Sequence, residues 1–304
     1  MTDDRQTAAS GEGERPATSH GYHSGSVETV ISVEEVNRQA SELAEQVPVE
    51  TLRSLARDEP FVAIEGLRAG YGKMQILHDT NLFVAKGQSL CLIGPNGAGK
   101  STILHSIFGF TTIYDGEIAV GADGGGDRGR LDVTAMTSSQ KLRDAGIAYI
   151  LQDKSVFPQM TVEENLWMGG YLMADPKAAK QAAERVFDKY DRLAARRRHN
   201  AGVLSGGERR LLEISRALVM EPDVLLVDEP SIGLEPRFIN MVFEILDDLQ
   251  HNEGKTIIMV EQNAKKGLEF ADIGYVLVSG RLAMAGPGDA LLEDERVGRL
   301  FLGG

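Results

Sequence analysis

The chain has 304 residues, 42% of them apolar, enough to bury a sizeable core in one or two domains. Its formal charge of −13, and the lack of a basic run longer than Arg196-Arg197-Arg198, argue against a nucleic-acid partner, because phosphate affinity comes from clustered cations. No apolar run approaches the ~20 residues of a membrane-spanning helix, and the single cysteine, Cys91, rules out an intramolecular disulfide.

The acidity is uneven, with 12 acids and 5 bases in residues 1–60. The first thirty residues are rich in Ser, Gly, Thr and charge, too poor in apolar groups to repay the entropy of ordering, and are expected to form a disordered tail. Their opening, MTDDRQTAASGEGERP, has neither the basic nor the apolar part of a secretory signal, so the chain is expected to stay in the cytoplasm. Between residues 33 and 58 apolar positions recur at partly helical spacing, broken at Pro48, which predicts one or two short helices. The organisation read from this is an acidic extension over 1–59, disordered or partly helical, followed by a compact domain over 60–304.

From Phe61 the pattern turns to short β-rich runs, FVAIEGLRAGY, TNLFVAKGQSLCLIG and DGEIAV. The Gly- and Asp-dense stretch 121–132 has no periodicity and reads as a surface loop. Beyond it, the apolar strands GIAYIL, DVLLVD and KTIIMV alternate with helical stretches, as in a parallel sheet covered on both faces. A section at about 153–205 lacks such strands and reads as a helical subdomain. The predicted class is therefore α/β: a mostly parallel core sheet with an antiparallel β subdomain and a helical subdomain.

Residues Gly94, Pro95, Asn96, Gly97, Ala98, Gly99, Lys100 and Ser101 match the phosphate-loop pattern. They stand between a strand, SLCLI, and a helical run, STILHSIFGF, that begins with Ser101 and Thr102, the context the motif needs. The glycines let backbone N–H groups converge on phosphate oxygens. The helix N-terminus adds its dipole, Lys100 can reach the β- and γ-phosphates, and the Ser101 hydroxyl can bind Mg²⁺. Asp228 and Glu229 follow the apolar run VLLV, which delivers two carboxylates to the carboxyl edge of the sheet. Asp228 is expected in the Mg²⁺ shell and Glu229 to accept a proton from the attacking water. Leu204-Ser205-Gly206-Gly207-Glu208 precedes a helical run and offers a second anion site, which a head-to-tail dimer could close over the γ-phosphate of its other subunit.

The phosphate loop, the LSGGE pentapeptide and VLLVDEP, in this order, resemble the ATP-binding cassette family of P-loop NTPases. Its signature ends in Gln where this chain has Glu208. The resemblance implies ATP and Mg²⁺ as cofactors. It also implies a stacking role on adenine for Tyr71, an Mg²⁺-touching and permease-sensing role for Gln152, and a crossing to the other subunit for residues 231–235. Most family members carry a switch His where this chain has Gln262, whose amide can donate to a γ-phosphate but cannot titrate near neutrality. MTVEENLWMGGY, VEQNA, DIGYVLVSGR and the last seventeen residues look like the second ATPase subunit of branched-chain amino-acid importers. That likeness implies a second cassette subunit, identical or not, integral membrane permease subunits, an extracytoplasmic solute-binding protein acting indirectly, and a place on the cytoplasmic face of the inner membrane. Importers of urea or short amides, and soluble cassette ATPases, are the alternatives. The soluble types carry two cassettes or a long coiled coil, neither of which this chain shows.

Overall fold

The computed structural model describes residues 47–121, 129–152 and 155–301. The expected N-terminal tail, any helix before residue 47 and most of the Gly-Asp loop lie outside the described residues. The first described helix, α1 (Val49–Ser54), carries the buried Leu52 and packs on the second strand. Arg53 of α1 lies over the Phe83 ring at 4.4 Å, and the Leu55 carbonyl accepts from Gln88 at 3.0 Å.

Strands β1 (Pro60–Tyr71) and β2 (Met74–Ala85) form a long antiparallel hairpin, turned at Gly72 with φ +61. With β4 (Thr112–Val120) and β5 (Leu131–Asp132) they make one antiparallel sheet in the order β2-β1-β4-β5.

The second sheet has the order β10-β9-β3-β8-β7-β6. Its strands are β3 (Ser89–Ile93), β6 (Ile147–Ile150), β7 (Val224–Asp228), β8 (Thr256–Val260), β9 (Ile273–Val278) and β10 (Arg281–Pro287). Every pair is parallel except β9 with β10. The reason lies in the sequence: β3, β7, β8 and β9 are buried along their whole length, as strands covered on both faces must be. Side chains alternate between the two layers. Leu90, Leu226 and Ile258 join the core shared with the antiparallel sheet, while Cys91, Val227 and Met259 join the core on the opposite face.

Helix α2 (Lys100–Phe108) follows β3, and α3 (Ser138–Arg143) precedes β6. The helical section comprises α4 (Val162–Gly169), α5 (Pro176–Lys189) and α6 (Asp191–Ala194), and its apolar core continues into α7 (Gly206–Leu218) through Leu211 and Leu212. Capping boxes at Thr161–Glu164 and Ser205–Glu208 start α4 and α7. Arg197, the middle of the Arg196–Arg198 run, binds Glu163 of α4 and Glu184 of α5. The remaining helices are α8 (Pro236–His251), α9 (Ala264–Phe270), α10 (Gly288–Glu293) and α11 (Glu295–Phe301).

Candidate active site

The phosphate loop leaves the carboxyl end of the central strand β3. Gly94 has φ +144, and a Cβ there would meet the Leu277 carbonyl oxygen at 2.1 Å, so only glycine lets the loop pass this close to β9. Gly97 and Gly99 also have positive φ, and Gly99 caps α2. Lys100, at the first position of α2, is 7% exposed and folds back so that its Nζ donates to the carbonyls of Gly94 at 2.9 Å and Pro95 at 3.0 Å. Desolvation lowers the pKa of this ammonium, and the charges of Glu229 and Asp228 partly offset it. Among the described residues this buried cation is held by neutral carbonyls and has no counter-ion in bonding contact, and a polyphosphate would supply one.

The loop faces the ends of β6, β7 and β8. Ser101 Oγ donates to Asp228 Oδ1 at 3.1 Å, which brings together two of the three residues assigned to Mg²⁺. A hydroxyl and one carboxylate suit that ion, which keeps several waters and takes its other oxygens from substrate phosphates. The second Asp228 oxygen accepts from the Tyr149 hydroxyl at 2.8 Å. Burial and the neighbouring Asp228 charge push the Tyr149 phenol up, so it remains a donor.

Glu229 is one of four non-glycine residues with positive φ among the described residues, at +44, a conformation that costs on the order of 1–3 kcal/mol and clusters at functional sites. Its N–H donates to the Val260 carbonyl at 2.9 Å, and its carboxylate accepts from Gln152 Nε2 at 2.8 Å. Burial, then the Asp228 charge, raises the Glu229 pKa above the ordinary glutamate value, which moves it towards the range of a useful general base. Gln152, assigned by resemblance to Mg²⁺, thus orients this carboxylate.

Lys100, Ser101, Gln152, Asp228 and Glu229 are brought to one edge of the sheet. Thr102, the third residue of α2, is buried. Tyr71, at the end of β1, is 39% exposed and its hydroxyl bonds His105 Nδ1 on α2, whose ring also meets Tyr149 edge-on at 5.8 Å. Gln262 is exposed beyond β8, and the buried group at that strand end is Glu261, which accepts from Ser231 Oγ at 2.7 Å and from the Asn263 N–H at 2.8 Å. The Ser205–Glu208 turn stands on a different element, the start of α7. Among the described residues no hydrogen bond or ion pair joins it to the phosphate loop of the same chain. Gly207 is required there, since a Cβ would meet the Phe238 ring at 2.1 Å. Glu208 closes back on Ser205, accepting from its N–H and its Oγ at 2.9 Å each, and pairs with Arg196 at 3.2 Å.

Three contributors escape a reading of the sequence. Tyr149 stands three residues before Gln152 and looks like an ordinary strand aromatic. Glu261 is masked by its neighbour Gln262. Arg210, in a helix rich in arginine, turns out to be buried.

Residues 77–232 match the model of the ABC transporter family. The chain is 41% identical over 234 residues to the high-affinity branched-chain amino acid transport ATP-binding protein BraG of Pseudomonas aeruginosa, covering 77% of this chain and 96% of that protein. It is 38% identical over 237 residues to the probable branched-chain amino acid transport ATP-binding protein LivF of Archaeoglobus fulgidus, covering 78% and 96%. Among solved structures, a nucleotide-free ATP-binding cassette from an ABC transporter superposes with a TM-score of 0.69 at 25% identity, covering 80% of this chain and 98% of that one.

Proposed function

The chain belongs to the ABC transporter family, and from that premise we propose that it is the ATP-hydrolysing subunit driving uptake of branched-chain or other apolar amino acids through separate permease subunits. The hydrolytic part follows from the family and is carried by one observation, the buried Lys100 ammonium wrapped in the phosphate-loop backbone with no carboxylate among the described residues bonded to it. ATP phosphates complete that site. Ser101 and Asp228 would hold Mg²⁺, which supplies charge neutralisation at the phosphates. Glu229, oriented by Gln152, takes the proton of the attacking water, and the product is ADP and phosphate.

The amino-acid cargo rests on the two relatives, whose names specify branched-chain amino acid transport and most of whose length this chain spans. Family ATPase subunits work as dimers with membrane permeases. Here no hydrogen bond or ion pair among the described residues ties the Ser205–Glu208 turn to the phosphate loop of its own chain, which suits closure over the ATP of a second cassette subunit. A groove of about 490 Å³ between the core sheet and the helical section, lined by Leu151, Phe157, Met168, Tyr171, Leu172 and Arg216, suits an apolar permease segment next to Gln152. On this reading the subunit sits on the cytoplasmic face of the inner membrane, and an extracytoplasmic binding protein acts on it only through the permease.

Labelled leucine uptake by cells lacking the chain tests the proposal. Uptake should fall and be restored by the parent chain but not by Glu229→Gln. Intact leucine uptake with loss of urea uptake would transfer the assignment to the urea and short-amide importers.

A further inference from the structure

We propose that Arg210 is a positioning residue for hydrolysis: its guanidinium keys the helix that carries the Ser205–Glu208 turn to the two backbone segments that carry Gln152 and Glu229. The inference rests on the ATPase reading above and adds the device that holds its parts in register.

The parallel pairing of β6 with β7 ends at Ile150 and Val227. Leu151 and Asp228 are the next residues along the two strands, and there this ladder gives out. Both of their carbonyls accept from the same side chain. Arg210 Nη1 donates to the Leu151 oxygen at 2.8 Å, and Nη2 to the Asp228 oxygen at 3.4 Å. Leu151 immediately precedes Gln152, and Asp228 immediately precedes Glu229, whose side chains bond each other at 2.8 Å. A side chain from α7 therefore replaces the missing ladder bonds just where two catalytic side chains must meet.

The chemistry of the group fits this task and not a merely space-filling one. Arg210 is 4% exposed, and its only ion-pair partner among the described residues is Glu213, one turn along the same helix, at 2.9 Å. A buried ion pair within one helix can commonly be exchanged for apolar residues without loss of stability. What apolar residues cannot reproduce is the planar fork, which presents separate N–H groups to two acceptors at once; a lysine ammonium cannot hold that geometry either. The same helix begins with the turn that we assign to the second subunit's ATP. Arg210 thus gives that turn a rigid reference to the water-activating carboxylate of its own chain.

The test uses the full-length chain with three readouts: kcat, KM for ATP, and hydrogen exchange of peptides spanning 151–152 and 228–229. The variant Arg210→Met/Glu213→Leu removes the pair without leaving an unpaired buried charge, and Arg210→Lys keeps Glu213 neutralised. Both should lower kcat about fivefold or more with KM within about twofold, because binding depends on Lys100 and not on this bridge. Exchange should quicken in the two named peptides and stay unchanged in α2. A kcat loss below about fivefold in the folded double variant, or unchanged exchange in those peptides, overturns the proposal. If the double variant does not fold, Arg210→Lys decides by the same limits. A parent chain without ATPase activity would count against the function proposed above, and exchange alone would then decide the role of Arg210.

Discussion

Replacing Glu229 by Gln isolates the chemical step from binding, because the structure leaves little else for the change to disturb. The amide is isosteric with the carboxylate, its oxygen can still accept from Gln152 Nε2, and the backbone bond from Glu229 N–H to Val260 is untouched. The unusual φ of +44 is the same for either side chain. What is lost is the proton acceptor, a role worth on the order of 10² to 10⁴ in rate, or about 3–5 kcal/mol of transition-state stabilisation. Lys100 and the loop amides remain, so ATP affinity should stay within about twofold of the parent. Bound ATP then persists, and the closed pair of cassettes should accumulate. Phosphate release measures the first effect; light scattering with Mg-ATP, run on the chain alone and with a second cassette subunit, measures the other. A variant that hydrolyses at the parent rate, or never pairs under either condition, would refute the roles given to Glu229 and Ser205.

Three further outcomes follow from individual side chains. Lys100→Ala deletes a charge-assisted contact and two bonds to loop carbonyls, so ATP binding itself should weaken by tenfold or more, roughly one such contact, in a direct titration. Gln262→His should remain folded and active, since the position is exposed, and should add an imidazole limb near pH 6.5 to the rate profile. An unchanged profile would mean that this side chain does not face the γ-phosphate. Lys141 is fully buried, donates to the Ser106 carbonyl at 3.3 Å, and is pulled down by burial to about 8. The unfolded chain keeps that proton to about pH 10.4, so between those values unfolding takes up a proton and stability should rise with pH. Lys141→Met removes this slope, and the melting-temperature difference, variant minus parent, should be larger at pH 7 than at pH 9.5.

The parts legible in the sequence are those determined by local spacing. SLCLI, VLLVD and TIIMV are apolar at every or nearly every position, which implies burial on both faces and hence parallel core strands. Gly94–Ser101 is a contiguous motif whose glycines have no other role than backbone shape. The site's cross-links are different in kind. Tyr149 reaches Asp228 only because β6 lies beside β7, and the order β10-β9-β3-β8-β7-β6 is written in no local pattern. Arg210 is one of several arginines in a helix, and only the packing of α7 against β6 distinguishes it. The resemblance points Gln152 at the metal, and its bond to Glu229 depends on where two loops end.

The two departures from the family's pattern become intelligible through the same contacts. At the signature, Glu208 satisfies the Ser205 N–H and hydroxyl by a capping box, and Arg196 stands within 3.2 Å of its carboxylate. The negative side chain at this turn, proposed above to meet phosphate, is thereby partly neutralised, and its oxygens are spent on the cap. At the end of β8 the buried Glu261 takes the Ser231 hydroxyl, the Ser231 N–H at 3.3 Å and the Asn263 N–H. That carboxylate ties the segment after Glu229 to the strand that ends beside it, without help from residue 262. The conformation of this corner therefore does not depend on Gln262, which is free to differ from histidine. Replacing Glu261 would instead leave the Ser231 and Asn263 donors unpaired in a buried corner, at a cost of about 1–3 kcal/mol for each group left unsatisfied.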